Sequence, residues 1–183
     1  MGTMSQMAAE DSGGSLAELA IKLFQDAYRL QMAGDLDLAT DLYRRSIQIH
    51  PTAEAHTYLG FAYRHQGRLD DAIAECKQAI AVDPTFGNPY NDIGAYLIEL
   101  GRPDEAIPWL LKATRSERYE SYHFPWYNLG RVYVTQELYR KATECFETAI
   151  DIDPEYELAE KALAVDWNRT EEDLAWAHLQ SAK

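Results

Sequence analysis

The sequence predicts an all-α fold in which short helix pairs are stacked in a row, and three observations carry that expectation. Trp126, Leu129, Gly130 and Tyr133 fall at i, i+3, i+4 and i+7, on one stripe of a helix. The stripe returns upstream as His56, Leu59, Gly60 and Tyr63, and again as Tyr90, Ile93, Gly94 and Leu97. Small residues and prolines follow each stripe at fixed offsets. Ala39, Ala72, Ala106 and Ala142 lie on a second helix, and Pro51, Pro84 and Pro154 stop it, because proline cannot extend a helix.

Taken in order, residues 1–16 read as a disordered lead or an expression scar, and residues 17–182 as a single array. Its repeats lie at about 20–52, 53–86, 87–122 and 123–156, close to a period of roughly 34 residues. The first is the weakest, carrying Leu23, Ala27, Leu30, Ala39, Tyr43 and Pro51 but Asp26 where Leu129 stands. The second adds Ala72, Cys76 and Pro84, the third Ala106 and Leu110, the fourth Ala142, Phe146 and Pro154. Gly60, Gly94 and Gly130 lack a Cβ and let the partner helix approach, which offsets a cost of about 1 kcal/mol each relative to Ala. Gly34, Gly67 and Gly101 sit between the two helices, where a left-handed cap needs no Cβ. Glu137 takes that place in the last repeat, so its turn is expected to be different or strained. Two further amphipathic segments, 155–165 and 171–182, lack the pattern and are expected to cap the array. In that cap Leu158, Ala162 and Leu163 would pack on the fourth repeat, with Trp167, Trp176 and Leu179 closing over them.

The run Trp126-x2-Leu129-Gly130-x2-Tyr133, Ala142-x3-Phe146 and Pro154 resembles the full tetratricopeptide (TPR) signature. The resemblance covers most of the chain. It implies a TPR-type α-solenoid, a right-handed superhelix of antiparallel helix pairs, with a groove rather than a catalytic pocket. Its implied function is a non-catalytic adaptor or scaffold that holds a peptide or helix of a protein partner in the concave groove. The competing expectation is a self-assembling structural protein, in which one copy docks end to end or into the groove of the next.

Composition and motifs agree with a binding protein. No GxSxG, GxxxxGK[ST], HExxH or strand-linked GxGxxG occurs, and no cofactor or metal is expected. Cys76 and Cys145 read as small packed hydrophobes, and the five histidines share no ligand spacing, His56 standing in the core place of Trp126. No apolar run approaches the ~20 residues that cross a membrane, and Gln6 stands where a myristoylation signal wants Ser or Thr. A cytoplasmic protein is the expectation. Asn168-Arg169-Thr170 would matter as a sequon only in a secretory compartment, and Thr170 reads better as a helix N-cap. A net charge of −13 disfavours nucleic acid and anionic membranes as partners. Between Glu144 and Asp173 stand 11 acidic residues against Lys161 and Arg169. That end is either a solvated face or a dock for a basic partner.

In the family, the stripe beside the core on each first helix faces the groove. Here it carries Phe24, Tyr28 and Gln31; Thr57, Tyr58, Phe61, Arg64 and His65; Asn88, Asn91, Asp92 and Ala95; and Phe124, Tyr127, Asn128, Arg131 and Val134. Aromatic bodies interleaved with Arg and Asn suit an interface. Phe24, Tyr28, Tyr58, Phe61, Arg64, His65, Asn91, Tyr127, Asn128 and Arg131 are the candidate peptide-binding residues. The asparagines would hold a peptide backbone, and Phe61 and Tyr127 would offer apolar sockets. The alternative is that several of the tyrosines only cover inter-repeat packing. Co-chaperone members of the family clamp a C-terminal carboxylate with Lys, Asn, Asn, Lys and Arg. Neither register of that clamp finds three cations here, and Asp92 would repel a carboxylate. The long, aromatic link after the third repeat, Arg115 to Pro125, would widen the inter-repeat angle, form a lip, or cap the preceding helix with Tyr119 and Tyr122.

Overall fold

The computed structural model describes the backbone of residues 4–165 and the side chains of residues 15–165. Thr170, Trp167, Trp176, Leu179 and the expected helix at 171–182 therefore lie outside the described residues. Within them the fold is all-α, a TPR-type α-solenoid, with one isolated bridge pair and no strand. The helices are α1 (Met4–Met32), α2 (Leu36–Ile49), α3 (Ala53–His65), α4 (Leu69–Val82), α5 (Asn88–Glu99), α6 (Pro103–Ala113), α7 (His123–Thr135), α8 (Tyr139–Ile152) and α9 (Glu157–Leu163). They fall into two compact units, Met1–Glu120 with α1 to α6 and Ser121–Lys183 with α7 to α9.

Local chemistry sets the boundaries. Asp35 accepts a hydrogen bond from the Leu38 amide at 3.3 Å and Thr52 from the Ala55 amide at 3.1 Å, capping α2 and α3. α1 starts at Met4, so helix takes in most of the segment expected to be irregular. Met4, Met7, Ala8, Ala9 and Glu10 are strong helix formers, which accounts for the difference. Gly34, Gly67 and Gly101 adopt φ of 87°, 77° and 71° in the three turns of the first unit. Glu137 adopts φ of 59° in the same kind of turn. The Leu138 amide bonds the Tyr133 carbonyl at 2.9 Å, as Arg68 bonds Tyr63 at 2.9 Å and Arg102 bonds Leu97 at 2.8 Å. The last turn is thus not different but strained, a left-handed residue with a Cβ at a cost of about 1–2 kcal/mol.

In the first unit α1 packs on α2, α3 on α4 and α5 on α6, while α1 also touches α3 and α3 touches α5. The first helices therefore form a continuous layer of their own. Ala39, Ala72, Ala106 and Cys76 are fully buried between the layers. A Cβ on Gly94 would lie 2.4 Å from Leu110, and in the second unit one on Gly130 would lie 2.4 Å from Phe146. Both contacts fall far inside van der Waals distance, so the glycines are what let each pair close. His56 is the core histidine expected, its side chain 12% exposed, with Nδ1 2.7 Å from Glu75 Oε2.

The link after α6 folds back instead of forming a lip. Arg118 donates its amide to the Thr85 carbonyl at 3.1 Å and accepts from the Gly87 amide at 3.0 Å. Its guanidinium lies 4.3 Å from the Phe86 ring centre and 2.8 Å from Glu54. Tyr119 packs on Gly87 and is 8% exposed. In the second unit α9 packs on α8 through Ala159, Ala162 and Leu163. Leu158, expected in that contact, is 50% exposed, because the i, i+3, i+4 stripe that meets α8 starts at Ala159.

Candidate protein-interaction face

The seam between α1 and α3 is built of rings. Tyr58 meets Phe24 edge-on at 5.4 Å and Tyr28 at 5.5 Å, and Phe24 also meets Tyr43 of α2 at 5.6 Å. Each such pair contributes about 0.5–1.5 kcal/mol beyond the area it buries. Phe24 and Tyr58 are half-buried, while Tyr28 keeps 40% of its surface exposed. Tyr43 is fully buried and its hydroxyl has no hydrogen-bond partner, so burial and the neighbouring Tyr58 and Tyr28 push its ionisation far up.

The seam between α3 and α5 is ionic. Arg64 donates from Nε at 3.0 Å and Nη2 at 2.8 Å to Glu99 Oε1, and that hydrogen bond holds the guanidinium above its usual range. Asp92 lies in the same seam, half-buried, and among the described residues it accepts one long hydrogen bond, 3.4 Å from Asn91 Nδ2. Loss of solvent pushes its carboxyl up to about 7, against the lowering influences of Asn91 and Arg64. Tyr96, one turn along α5, is 3% exposed with an unpaired hydroxyl. Phe61, 38% exposed, meets the exposed His65 ring at 4.4 Å with the two planes tilted by 59°.

The first helix of the second unit repeats the aromatic plan. Tyr127 meets Phe146 of α8 at 5.7 Å and Tyr156, just ahead of α9, at 5.2 Å, and Phe124 meets Tyr156 at 5.6 Å. Burial pushes Tyr156 up to about 12. Arg131 donates to Asn128 Oδ1 at 3.1 Å and lies 6.0 Å from the Tyr127 ring centre.

Of the sequence-predicted residues, Tyr28, Phe61, Arg64 and His65 reach the surface of the first unit, and Phe24 and Tyr58 form the wall beneath them. Asn91 and Asn128 are 9% and 7% exposed and hydrogen-bond within the protein, so neither presents a free amide to a peptide backbone. Tyr127 and Arg131 are half-buried in the second unit. Sequence reasoning missed the Arg64–Glu99 pair and the isolation of Asp92; the only signal was that the two acids lie seven residues apart, two helical turns, on α5. Among the clefts of the first unit, one of about 500 Å³ is lined by Pro84, Tyr90, Pro108, Lys112 and Arg115, and one of about 200 Å³ takes in Phe24 with Ala20, Ile21 and His50. Among the described residues no group of His, Cys, Asp or Glu is placed to hold a metal ion, and both cysteines are buried thiols. No described helix is long and apolar enough to cross a membrane. At the acidic end Glu147, Asp151, Glu155 and Glu160 are exposed.

Family models described as tetratricopeptide repeat match residues 53–86, 88–119 and 124–156. Small glutamine-rich tetratricopeptide repeat-containing protein 2 of Mycosarcoma maydis is 30% identical over 89 residues, 48% of this chain and 25% of that protein. A crystal structure of MamA superposes with a TM-score of 0.65 at 27% identity, over 75% of this chain and 80% of that one. The structure of PilF from Pseudomonas aeruginosa gives 0.76 at 24% identity, over 82% and 68%. The chain spans less than half the length of the curated relatives it matches. The matches to these family models begin at residue 53, and α1 and α2 ahead of it form the same kind of helix pair. TPR proteins are in general non-catalytic interaction scaffolds, and this chain belongs to the tetratricopeptide repeat family.

Proposed function

We propose that the chain is a protein–protein interaction adaptor that receives a peptide or helix of its partner on the α1–α3–α5 layer. One observation carries the reading: Tyr28, Phe61 and His65 expose ring surface on that layer, although the seams below them are already closed by other rings and by Arg64–Glu99. Exposed rings above a rigid wall are what interface anchors require, since little order remains to be lost on binding. Tyr127 and Arg131 give the second unit a smaller face of the same composition. The net charge of −13 and the exposed acids of α8 and α9 favour a basic partner and fast, salt-sensitive association. Affinity capture with wild type and with Tyr28→Ala/Phe61→Ala, folded by circular dichroism, tests the reading. A partner kept by wild type and lost by the variant supports it; equal capture by both removes it.

Self-association is a second reading, favoured by α1. That helix has 29 residues against 14 in α2, and Leu16, Leu19 and Ile21 are 54%, 43% and 55% exposed. A mass that grows with concentration in light scattering, and stops growing in Leu16→Glu/Leu19→Glu, supports it. A constant monomer mass across the micromolar range excludes it.

A further inference from the structure

We propose that the α3–α5 seam reads one lysine or arginine side chain of the bound partner, whose cation pairs with Asp92. The proposal rests on the layer being the binding face and goes on to name the chemistry that face selects.

The first observation is a charge without a partner. Among the described residues Arg64 is the one cation bearing on the Asp92 carboxylate, and both its Nε and its Nη2 are held by Glu99. Among the described residues no cation comes within salt-bridge distance of Asp92, and Arg64, Glu99 and Asp92 together leave one negative charge in the seam. An ionised carboxylate that has lost solvent and gained no cation is costly to the free protein. A ligand cation relieves that cost, whereas a neutral or acidic side chain does not.

The second observation is the Tyr96 hydroxyl. It is buried without a hydrogen-bond partner, and after burial itself the Asp92 charge bears on it more than any other group. Asp92 and Tyr96 stand at i and i+4 on α5, so both oxygens face the same seam. The hydroxyl thus leaves a second buried oxygen on the face of α5 that carries Asp92. Rings complete the setting. Tyr58 lies close enough to Asp92 for the carboxylate to raise its ionisation, and a cation held over Tyr or Phe faces gains further attraction.

The groups facing Asp92 are Tyr58 and Arg64 from α3, Cys76 from α4, and Asn91 and Tyr96 from α5. Burial pushes Tyr58, Tyr96 and Cys76 upward, away from neutrality, which leaves Asp92 as the group in this set that titrates near pH 7. A cationic ligand favours the ionised form, so its binding expels a proton and tightens as pH rises.

Selection of a random-peptide display library on the full chain tests this, with Asp92→Asn and Asp92→Glu beside wild type. Wild type and Asp92→Glu are expected to enrich Lys or Arg at one fixed position, flanked by apolar residues. Asp92→Asn is expected to retain the apolar positions and lose the basic one. The strongest wild-type peptide should lose about tenfold in affinity when its basic residue is replaced by norleucine or citrulline, and that difference should vanish on Asp92→Asn. Peptides enriched without a basic position, or with the same one on Asp92→Asn, overturn the proposal and leave the binding face standing. Enrichment of no peptide by wild type overturns both.

Discussion

Two seams in one layer of helices are built from different chemistry. Between α1 and α3, Phe24 and Tyr28 close on Tyr58, and Phe24 and Tyr58 on Tyr43. Between α3 and α5 the contact is an Arg64–Glu99 pair with the uncompensated Asp92 beside it. The second unit returns to rings, Phe124, Tyr127 and Tyr156. A ring seam draws its stability from burial and is indifferent to salt and pH. An ionic seam contributes little to stability, yet it carries information about the charge of whatever lies on it. The difference teaches that neighbouring seams of one layer can be closed by ring burial in one case and leave an unbalanced charge in the other.

The largest expected effect comes from breaking the aromatic seam. Tyr58→Ala removes contacts to three rings and should lower unfolding stability by about 2–4 kcal/mol, read from the urea midpoint. An effect no larger than that of Arg64→Ala would reverse the comparison.

Next comes Asp92. Its folded carboxyl titrates near 7 rather than at the ordinary value of 3.8, so the native state holds more protons than the unfolded one between those limits. Its contribution is therefore present at low pH and is lost as pH rises through about 7. Asp92→Asn should be nearly neutral at pH 3 and stabilising by about 1–3 kcal/mol at pH 8. A difference between variant and wild type that does not change with pH would contradict the burial of that charge.

Glu137→Gly carries the comparison into the second unit. It relieves the left-handed strain and should stabilise by about 1 kcal/mol, whereas Gly101→Glu in the first unit should destabilise by a similar amount. Opposite signs in thermal melts are the expected result. Arg64→Ala comes last, at less than about 1 kcal/mol, because both members of its ion pair remain about a third exposed and water screens them.

Much of the fold was legible because the repeat writes its packing locally. The Gly94–Leu110 and Gly130–Phe146 contacts, the left-handed glycines and the buried alanines all follow from spacings within one repeat. The candidate face was legible only as a stripe. Whether a stripe residue is exposed depends on the next repeat. Tyr58 is spent on Phe24 and Tyr28, and Arg64 on a carboxylate 35 residues away. Asn91 and Asn128 looked like hooks for a peptide and are buried by neighbours that no local pattern announces. Leu158 failed for a simpler reason, since a one-residue shift of register turns a side chain by about 100° around the helix.

The central claim is that the ionic seam, unlike the ring seam, reads charge. Its most direct test is the affinity of the strongest selected basic peptide for wild type and for Asp92→Asn at pH 6 and pH 8. With a carboxyl near 7, the ionised fraction of Asp92 rises about tenfold over that interval, so wild-type affinity should rise by nearly that factor while Asp92→Asn stays flat. Equal affinities at the two pH values in wild type, or an equal rise in both proteins, would contradict the account.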